Sequence, residues 1–384
     1  MVKLYSKQKT MTDLPFLKNS YTYEDIYYAY LDCRKSKRNS ISAINFEINY
    51  EENLKILLDE INNGTYEIGR STVFAVTQPK PREVWAADFR DRIVHHLVIC
   101  DIQEYFEKRF IYDSYSCIKN KGTLKCIQKA YKSCRKITQN WQNDACYIKL
   151  DLKNFFGTID KHILWNIMKE KIGDESLTSK LIKQIIFNPM QINPIIINKN
   201  LNQVPIHKSL LHQNNYDIGL PIGNLSSQFF SNVYLDGLDQ YCKHILKLKY
   251  YFRYADDILI LTKDLSKSNE IIKNIKEWIK IHRNQELNDN KTIKNHIKYG
   301  IHYLGSIIYP YHIISNNRLK YNLKKSIKKL NKNKFSENSI RSINSYIGLL
   351  NQYNSYKFIT ECLKKISNIL FHINNRRIRF SKYF

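Results

Sequence analysis

Two adjacent carboxylates, Asp256 and Asp257, interrupt a run of strand-forming residues, with Tyr250-Tyr251-Phe252-Arg253-Tyr254-Ala255 before them and Ile258-Leu259-Ile260-Leu261 after. Strong β-formers on both sides, with no Gly, Pro or Asn between them, suggest a tight turn whose acids project to one edge of a sheet. Like charges that close raise each other's pKa, and a divalent cation removes that cost. The simpler alternative is an acidic turn facing solvent, and other segments of the chain bear on the choice.

At 384 residues the chain can bury a large core and is expected to form two or three subdomains. It contains no run of 18 apolar residues, and Met1-Val2-Lys3-Leu4-Tyr5-Ser6-Lys7-Gln8-Lys9 has no apolar signal core, so a cytoplasmic protein without membrane partners is expected. The eight cysteines include no CxxC pair, which argues for reduced thiols and against zinc. With 61 basic against 35 acidic side chains, the formal charge of +26 implies a polyanionic partner. Tyr311 to Phe384 hold 16 Lys and Arg against Glu337 and Glu361, over half of that excess. Tyr346, Tyr353, Tyr356, Phe358, Phe371 and Phe380 are interleaved with them, a composition suited to a nucleic-acid groove, although many such rings must be core.

Along the chain, residues 1 to about 60 carry helix-spaced apolar positions at Tyr23 to Tyr30 and Leu54 to Ile61. Gly69 to Thr77 and Arg82 to Ala87 read as two strands around the turn Pro79-Lys80-Pro81, and Asp91 to Phe110 as a helix. Cys146 to Asp151 is a buried-type strand ending in an acid, and a helix follows from His162. Residues 188–218, rich in Asn, Ile and Pro, read as an irregular insertion. Gly219 to Gln228 opens a helix running to Leu238, with Ser and Asn as caps. Ser266 to Ile281 reads as a helix, Leu287 to Thr292 as a loop, His302 to Tyr309 as a strand, and the chain from Leu319 as basic helix.

Three elements in this order handle acid or phosphate: the strand ending in Asp151, the glycine-bearing helix start at Gly219, and the Asp256-Asp257 hairpin. Magnesium takes a few carboxylates plus substrate phosphates in octahedral geometry. Two such ions, roughly 3.5 to 4 Å apart, activate an attacking 3′-hydroxyl and stabilise leaving pyrophosphate. This is polymerase chemistry.

Leu150-Asp151 to Ile159, Gly219 to Gln228 with its helix, and Tyr254 to Asp257 resemble motifs A, B and C of reverse transcriptases. Lys291 matches the motif D lysine and Tyr303-Leu304-Gly305 the motif E primer grip, so the resemblance covers roughly residues 65 to 384. Phe89-Arg90-Asp91-Arg92-Ile93-Val94-His95-His96, Ile222-Gly223-Asn224, Ser227-Gln228 and Ser342 to Gly348 are similar to bacterial retroelement enzymes, those of diversity-generating retroelements and antiphage defence.

The resemblance implies an α+β right-hand polymerase: an N-terminal helical extension (1–64), fingers (65–145 with part of 161–218), a ferredoxin-like palm (146–310, with the insertion near 188–218) and a basic helical thumb (311–384). It implies that Asp151 and Asp256 hold two Mg2+ ions, or Mn2+, with Asp257 as the less direct partner. Phe156, five residues after Asp151, would block a ribose 2′-hydroxyl, or is simply a core aromatic. Lys80 and Arg82 would grip the incoming triphosphate, or are surface charge. Gly223 and Gln228 belong to the nucleotide side of the site, and Lys291 would protonate pyrophosphate or is solvated. Ile222 stands where many retroviral enzymes have Gln, which implies relaxed base discrimination. His95 and His96, adjacent on a helix, point about 100° apart and are read as structural, while Asp88, Asp91 and Arg92 are read as helix-start contacts.

The expected function is RNA-directed DNA polymerisation with deoxynucleoside triphosphates on an RNA template, a non-coding RNA in antiphage defence, in a bacterial or phage-encoded protein. Mutagenic copying in a diversity-generating retroelement is the alternative, and a catalytically silent RNA-binding scaffold is the reading from another class. An accessory protein, a second polymerase or self-association would complete so small an enzyme, and a tail hydroxyl such as Ser381 or Tyr383 could prime synthesis, though nothing separates it from any exposed hydroxyl.

Overall fold

Helix starts follow side-chain capping. Thr22 Oγ1 accepts from Asp25 N while the Asp25 carboxylate accepts from Thr22 N, a reciprocal box that opens α1 (Tyr23–Arg34). Ser40 caps α2 (Ile41–Ile48), and α3 (Tyr50–Asn63) stops at Gly64, whose φ of 72° few other residues tolerate. The computed structural model describes residues 14–35, 40–78, 80–197, 200–332, 337–366, 371–374 and 377–380, so Ser381 and Tyr383 and Pro79 of the expected turn lie outside the described residues.

The chain continues through β1 (Thr72–Val76), β2 (Arg82–Ala86), α4 (Phe89–Glu107), α5 (Thr123–Ile137), β3 (Cys146–Asp151), the single turn α6 (Phe155–Thr158), α7 (Lys161–Ile172), α8 (Leu177–Phe187) and β4 (Ile195–Ile196). Next come α9 (Leu225–Gln240), which runs into a π-helical turn, β5 (Tyr250–Tyr254), β6 (Asp257–Thr262), α10 (Ser268–Arg283) and β7 (Ile293–His296). The last part holds β8 (Ile301–Tyr303), β9 (Ser306–Tyr309), β10 (His312–Ser315), α11 (Asn317–Lys332), α12 (Glu337–Leu350), α13 (Tyr356–Leu363), β11 (Phe371–Asn374) and β12 (Arg377–Phe380). The expected α+β class holds.

Two units divide these elements. The first takes residues 1–117, 152–247 and 272–288. Its sheet has the order β2-β1-β4, with β1 antiparallel to β2 and parallel to β4. The helix α4 buries Phe89, Ile93, Val94, Leu97, Val98 and Ile102, and the Phe106 ring meets Phe229 of α9 edge-on at 5.8 Å. Rings of Tyr30 and Phe46 from the N-terminal helices close on Phe89 at 6.2 and 5.5 Å. The expected irregular insertion is more ordered than its composition suggests, because Ile195 and Ile197 donate to Ser71 and Val73 carbonyls and so extend the β1 edge. Its ends are closed by Lys161, which donates from Nζ to Asn188 O at 3.3 Å and from N to Asp217 O at 2.9 Å.

The second unit takes residues 118–151, 248–271 and 289–384. Its antiparallel sheet has the order β5-β6-β3-β7, so β3 is paired along both edges, and its apolar residues Tyr147, Ile148 and Leu150 are buried. A second sheet, β8-β9-β10, replaces the single strand expected over His302 to Tyr309: Leu304 and Gly305 take φ of 47° and 80° and reverse the chain. Helices α11, α12 and α13 enclose their own core of Leu323, Ile327, Leu330, Ile343, Ile347 and Ile359. The expected helical tail instead ends in the antiparallel pair β11 and β12. None of the eight cysteines is in a disulfide, and among the described residues no helix is long and apolar enough to cross a membrane.

Candidate catalytic centre and nucleotide-facing elements

In the second unit, strand register sets the acids. Asp151 ends β3 directly opposite Asp257, the first residue of β6, and Asp257 in turn pairs with Tyr254 at the end of β5. The two residues between, Ala255 and Asp256, form the hairpin turn, and Ala255 takes φ 52° at a cost of about 1 kcal/mol for a residue with a Cβ. Arg253, fully buried on β5, supports that turn by donating from Nη1 to Ala255 O at 3.2 Å. Asp256 is half-buried; its surroundings, then the charges of Asp257 and Asp151, push its carboxyl up to about 6.

Two lysines answer this crowding. Lys291, in the turn before β7, donates from Nζ to Asp151 Oδ2, and Lys149, two residues before Asp151 and on the same face of β3, sets its Nζ 3.8 Å from Asp257 Oδ1. Lys149 escaped sequence reading, although its period-two relation to Asp151 was a usable signal. Among the described residues, no group of three or more His, Cys, Asp or Glu forms a closed metal cage. The donor set nevertheless fits a hard divalent cation: magnesium asks for one or two carboxylates and leaves the remaining positions to water and phosphate.

The first unit carries Phe156, Lys80, Arg82, Gly223 and Gln228. Phe156 lies on α6, half-buried, its ring edge-on to Phe155 at 5.2 Å. Its carbonyl accepts from Leu220 N at 2.8 Å and Ile159 O accepts from Gly219 N at 2.7 Å, so the segment after Asp151 runs beside the start of α9. Gly219 has φ 93°, and a Cβ there would collide with Leu210 Cδ2. Gly223, at φ 134°, brings its Cα so close to β2 that a Cβ would lie 2.5 Å from Trp85 O. Trp85 N donates to Ile222 O at 2.8 Å, and Ala87 N to Asn224 Oδ1 at 3.2 Å. Asn224 is therefore not the side-chain cap expected of it; it stands at the N-cap of α9 with its amide oxygen spent on β2. Gln228 is exposed, its Oε1 accepting from Cys117 Sγ at 3.1 Å. Lys80 and Arg82 are exposed at the β1–β2 tip, and neither has an ion-pair partner among the described residues.

Tyr303, Leu304 and Gly305 belong to the second unit. The Tyr303 ring is buried, its hydroxyl 3.5 Å from Cys126 Sγ, so only Leu304 and Gly305 are at the β8–β9 turn surface. Of the polar residues near the start of α4, Asp88 caps the helix through Arg90 N, as expected. Asp91 differs: it is buried and reaches out of the helix to Tyr66 Oη at 2.8 Å and Gly69 N at 3.0 Å. Burial raises its carboxyl to about 6. His95 is buried with Nδ1 3.0 Å from Ser226 Oγ, and burial, then His96 and Arg92, lowers its pKa to about 3.

Residues 78–308 match the family described as "Reverse transcriptase (RNA-dependent DNA polymerase)". The chain is 24% identical over 328 residues to the "Putative COX1/OXI3 intron 2 protein" of Saccharomyces cerevisiae, covering 70% of this chain and 35% of that protein. It therefore spans about a third of the curated relative's length. Among solved structures, telomerase from Candida albicans in complex with a TWJ fragment of telomeric RNA superposes with a TM-score of 0.45 at 11% identity, over 85% of this chain and 61% of that one.

Proposed function

The chain belongs to the reverse transcriptase (RNA-dependent DNA polymerase) family, and from that premise we propose that it copies an RNA template into DNA at Asp151, Asp256 and Asp257. The observation that carries this reading is the register of β3 and β6, which faces Asp151 with Asp257 and leaves Asp256 in the adjoining turn. The right-hand polymerase fold goes with the family, and we assign the first unit's β1–β2 hairpin to the fingers, the β5-β6-β3-β7 sheet to the palm and α11–α13 to the thumb.

Asp151 and Asp256 would hold divalent magnesium, with Asp257 assisting; when bound, the ions supply charge compensation for the triphosphate and acidify the primer 3′-hydroxyl. The chain's own residues do the rest. Lys80 and Arg82 bind phosphate oxygens, Arg82 with its two-pronged fork. Phe156 fills the space a ribose 2′-hydroxyl would need. Gly223 lets backbone come close beside the base, Gln228 offers its amide there, and Ile222 adds bulk without a hydrogen bond. Lys291, already bonded to Asp151, stands ready to give a proton to departing pyrophosphate. Leu304 and Gly305 present backbone to the primer.

For biological role, the substrate is a dedicated non-coding RNA in antiphage defence, with mutagenic retroelement copying as the competing role; the intron-protein relative supports a retroelement-type origin in general. Primer extension on RNA with deoxynucleotides tests the chemistry, and extension that survives Asp256→Asn would sink it. Sequencing nucleic acid that co-purifies with the protein decides between the roles.

A further inference from the structure

We propose that Glu83 is a positioning residue: through it the 188–218 segment braces the β1–β2 hairpin and so keeps Lys80 and Arg82 in place for the triphosphate. The functional half of this inference rests on the reading of those two side chains given above.

Glu83 neighbours Arg82 on β2 yet is only 6% exposed. A buried carboxylate is costly unless donors surround it. Here Oε1 accepts from Trp85 Nε1 at 2.6 Å, Leu210 N at 2.9 Å and Leu211 N at 3.1 Å, and Oε2 accepts from Ser209 Oγ. Ser209 Oγ is also 2.9 Å from His212 Nδ1. Three of the four donors come from a segment more than 120 residues away, so the carboxylate acts as the anion in a backbone nest that the insertion supplies.

The contact has an apolar base as well. Val73 and Trp85 of the hairpin pack with Met190 and Leu210 of the insertion, flanked by Leu201 and Leu211. Burial of this kind supplies adhesion without direction. The hydrogen bonds to Glu83 supply the direction, fixing which residue of β2 faces Ser209–Leu211. The same strand is tied to the start of α9 through Trp85 N and the close approach of Gly223. Arg82 opens β2 and Lys80 lies in the turn just before it, and neither has an ion pair among the described residues, so their placement follows the hairpin that Glu83 helps to fix.

The test uses the full chain with Glu83→Gln, which keeps shape but puts an amide donor against donors, and Ser209→Ala, which removes one hydroxyl and leaves the fold's core alone. Amide hydrogen exchange, melting temperature and single-nucleotide extension are measured on both. The expected result is about tenfold faster exchange at Leu210, Leu211 and β2, and a KM for deoxynucleotide raised about tenfold in Glu83→Gln and about threefold in Ser209→Ala, with kcat within about twofold. Unchanged exchange at Leu210 and Leu211 overturns the brace. Faster exchange with an unchanged KM, or a KM shift that only tracks the melting temperature, overturns the positioning role. If Glu83→Gln fails to fold, Ser209→Ala decides by the same criteria. If the unaltered chain extends no primer, the polymerase reading fails, and the exchange data still decide the brace alone. A KM unmoved by Lys80→Ala and Arg82→Ala overturns the assigned role of the hairpin tip.

Discussion

Lys291 Nζ donates to Asp151 Oδ2, so the acid that ends the central strand already has a cation beside it before any substrate arrives. The ammonium and a divalent ion compete for the same carboxylate.

Removing that ammonium should tighten metal binding while slowing catalysis. Lys291 is half exposed, so the ion pair is discounted to about 1 kcal/mol, and Lys291→Met should bind Mg2+ or a lanthanide probe roughly fivefold more tightly without nucleotide. Its single-turnover incorporation should fall at least about tenfold. Terbium luminescence and rapid-quench extension read the two effects, and a variant that loses both would tie Lys291 to metal binding instead.

Asp256→Asn should abolish extension, by a factor of about a thousand or more, yet leave the fold intact. The carboxyl's folded pKa of about 6 lies above its unfolded value, so its ionised form costs stability at neutral pH. The neutral amide should therefore melt at the same temperature or higher, with a gain in stability of up to about 1 kcal/mol after discounting for partial exposure. Differential scanning calorimetry in chelator checks this.

Phe156→Ala should admit ribonucleotides. If the half-buried ring guards the 2′ position, discrimination against them should drop by roughly 10- to 100-fold, the worth of about 1–3 kcal/mol of steric exclusion. Competing ribo- and deoxynucleotides in one extension assay give the ratio. An unchanged ratio with a lowered melting temperature would assign Phe156 to the core beside Phe155.

Ile222→Gln should lower misincorporation several-fold, because it restores a hydrogen-bonding amide beside Gly223, on the loop whose carbonyl accepts from Trp85 N. Deep sequencing of products measures it. No change in error rate removes Ile222 from the fidelity argument.

His95 gives the first unit an acid-sensitive point. Its folded pKa of about 3 lies below the unfolded value near 6.5, so the stability held by neutral His95 is complete above about pH 6.5 and is lost as pH falls toward 3. By pH 5 this amounts to roughly 2 kcal/mol. Asp91, with a folded pKa of about 6 above its unfolded value, acts in the opposite sense as pH falls from 6. Urea melts of His95→Asn isolate the first effect: the variant should lose roughly 2 kcal/mol less than the unaltered chain between pH 7 and 5. Parallel profiles would refute it.

The elements read most directly from sequence were those whose partners are local or whose pattern is strong. The strand Cys146 to Asp151 was visible as apolar residues bounded by an acid, and Leu225 to Gln240 as helix period after a glycine start. Glu83 was invisible because its donors, Ser209 to Leu211, follow more than 120 residues later and carry no motif. The reversal at Leu304-Gly305 was missed since Leu gives no turn signal at φ 47°, and β4 because two isoleucines in an Asn-rich stretch are too short a pattern. Asn224 was misread as a cap for a related reason: the residue type was right for the position, and a tertiary donor took its oxygen first.

The central strand β3 has consequences during synthesis. Its two neighbours are β6, at Asp257–Thr262, and β7, at Ile293–His296, both more than 100 residues downstream. At translation speeds of 5–20 residues per second, a ribosome needs on the order of 10 s after releasing Asp151 before either edge of β3 can be covered. For that interval the nascent chain presents a strand of Tyr, Ile and Leu with both edges open, the kind of surface that recruits other strands. Output of active protein in a cell should therefore depend on how slowly the ribosome passes residues 152–296 and on which chaperone meets β3 first.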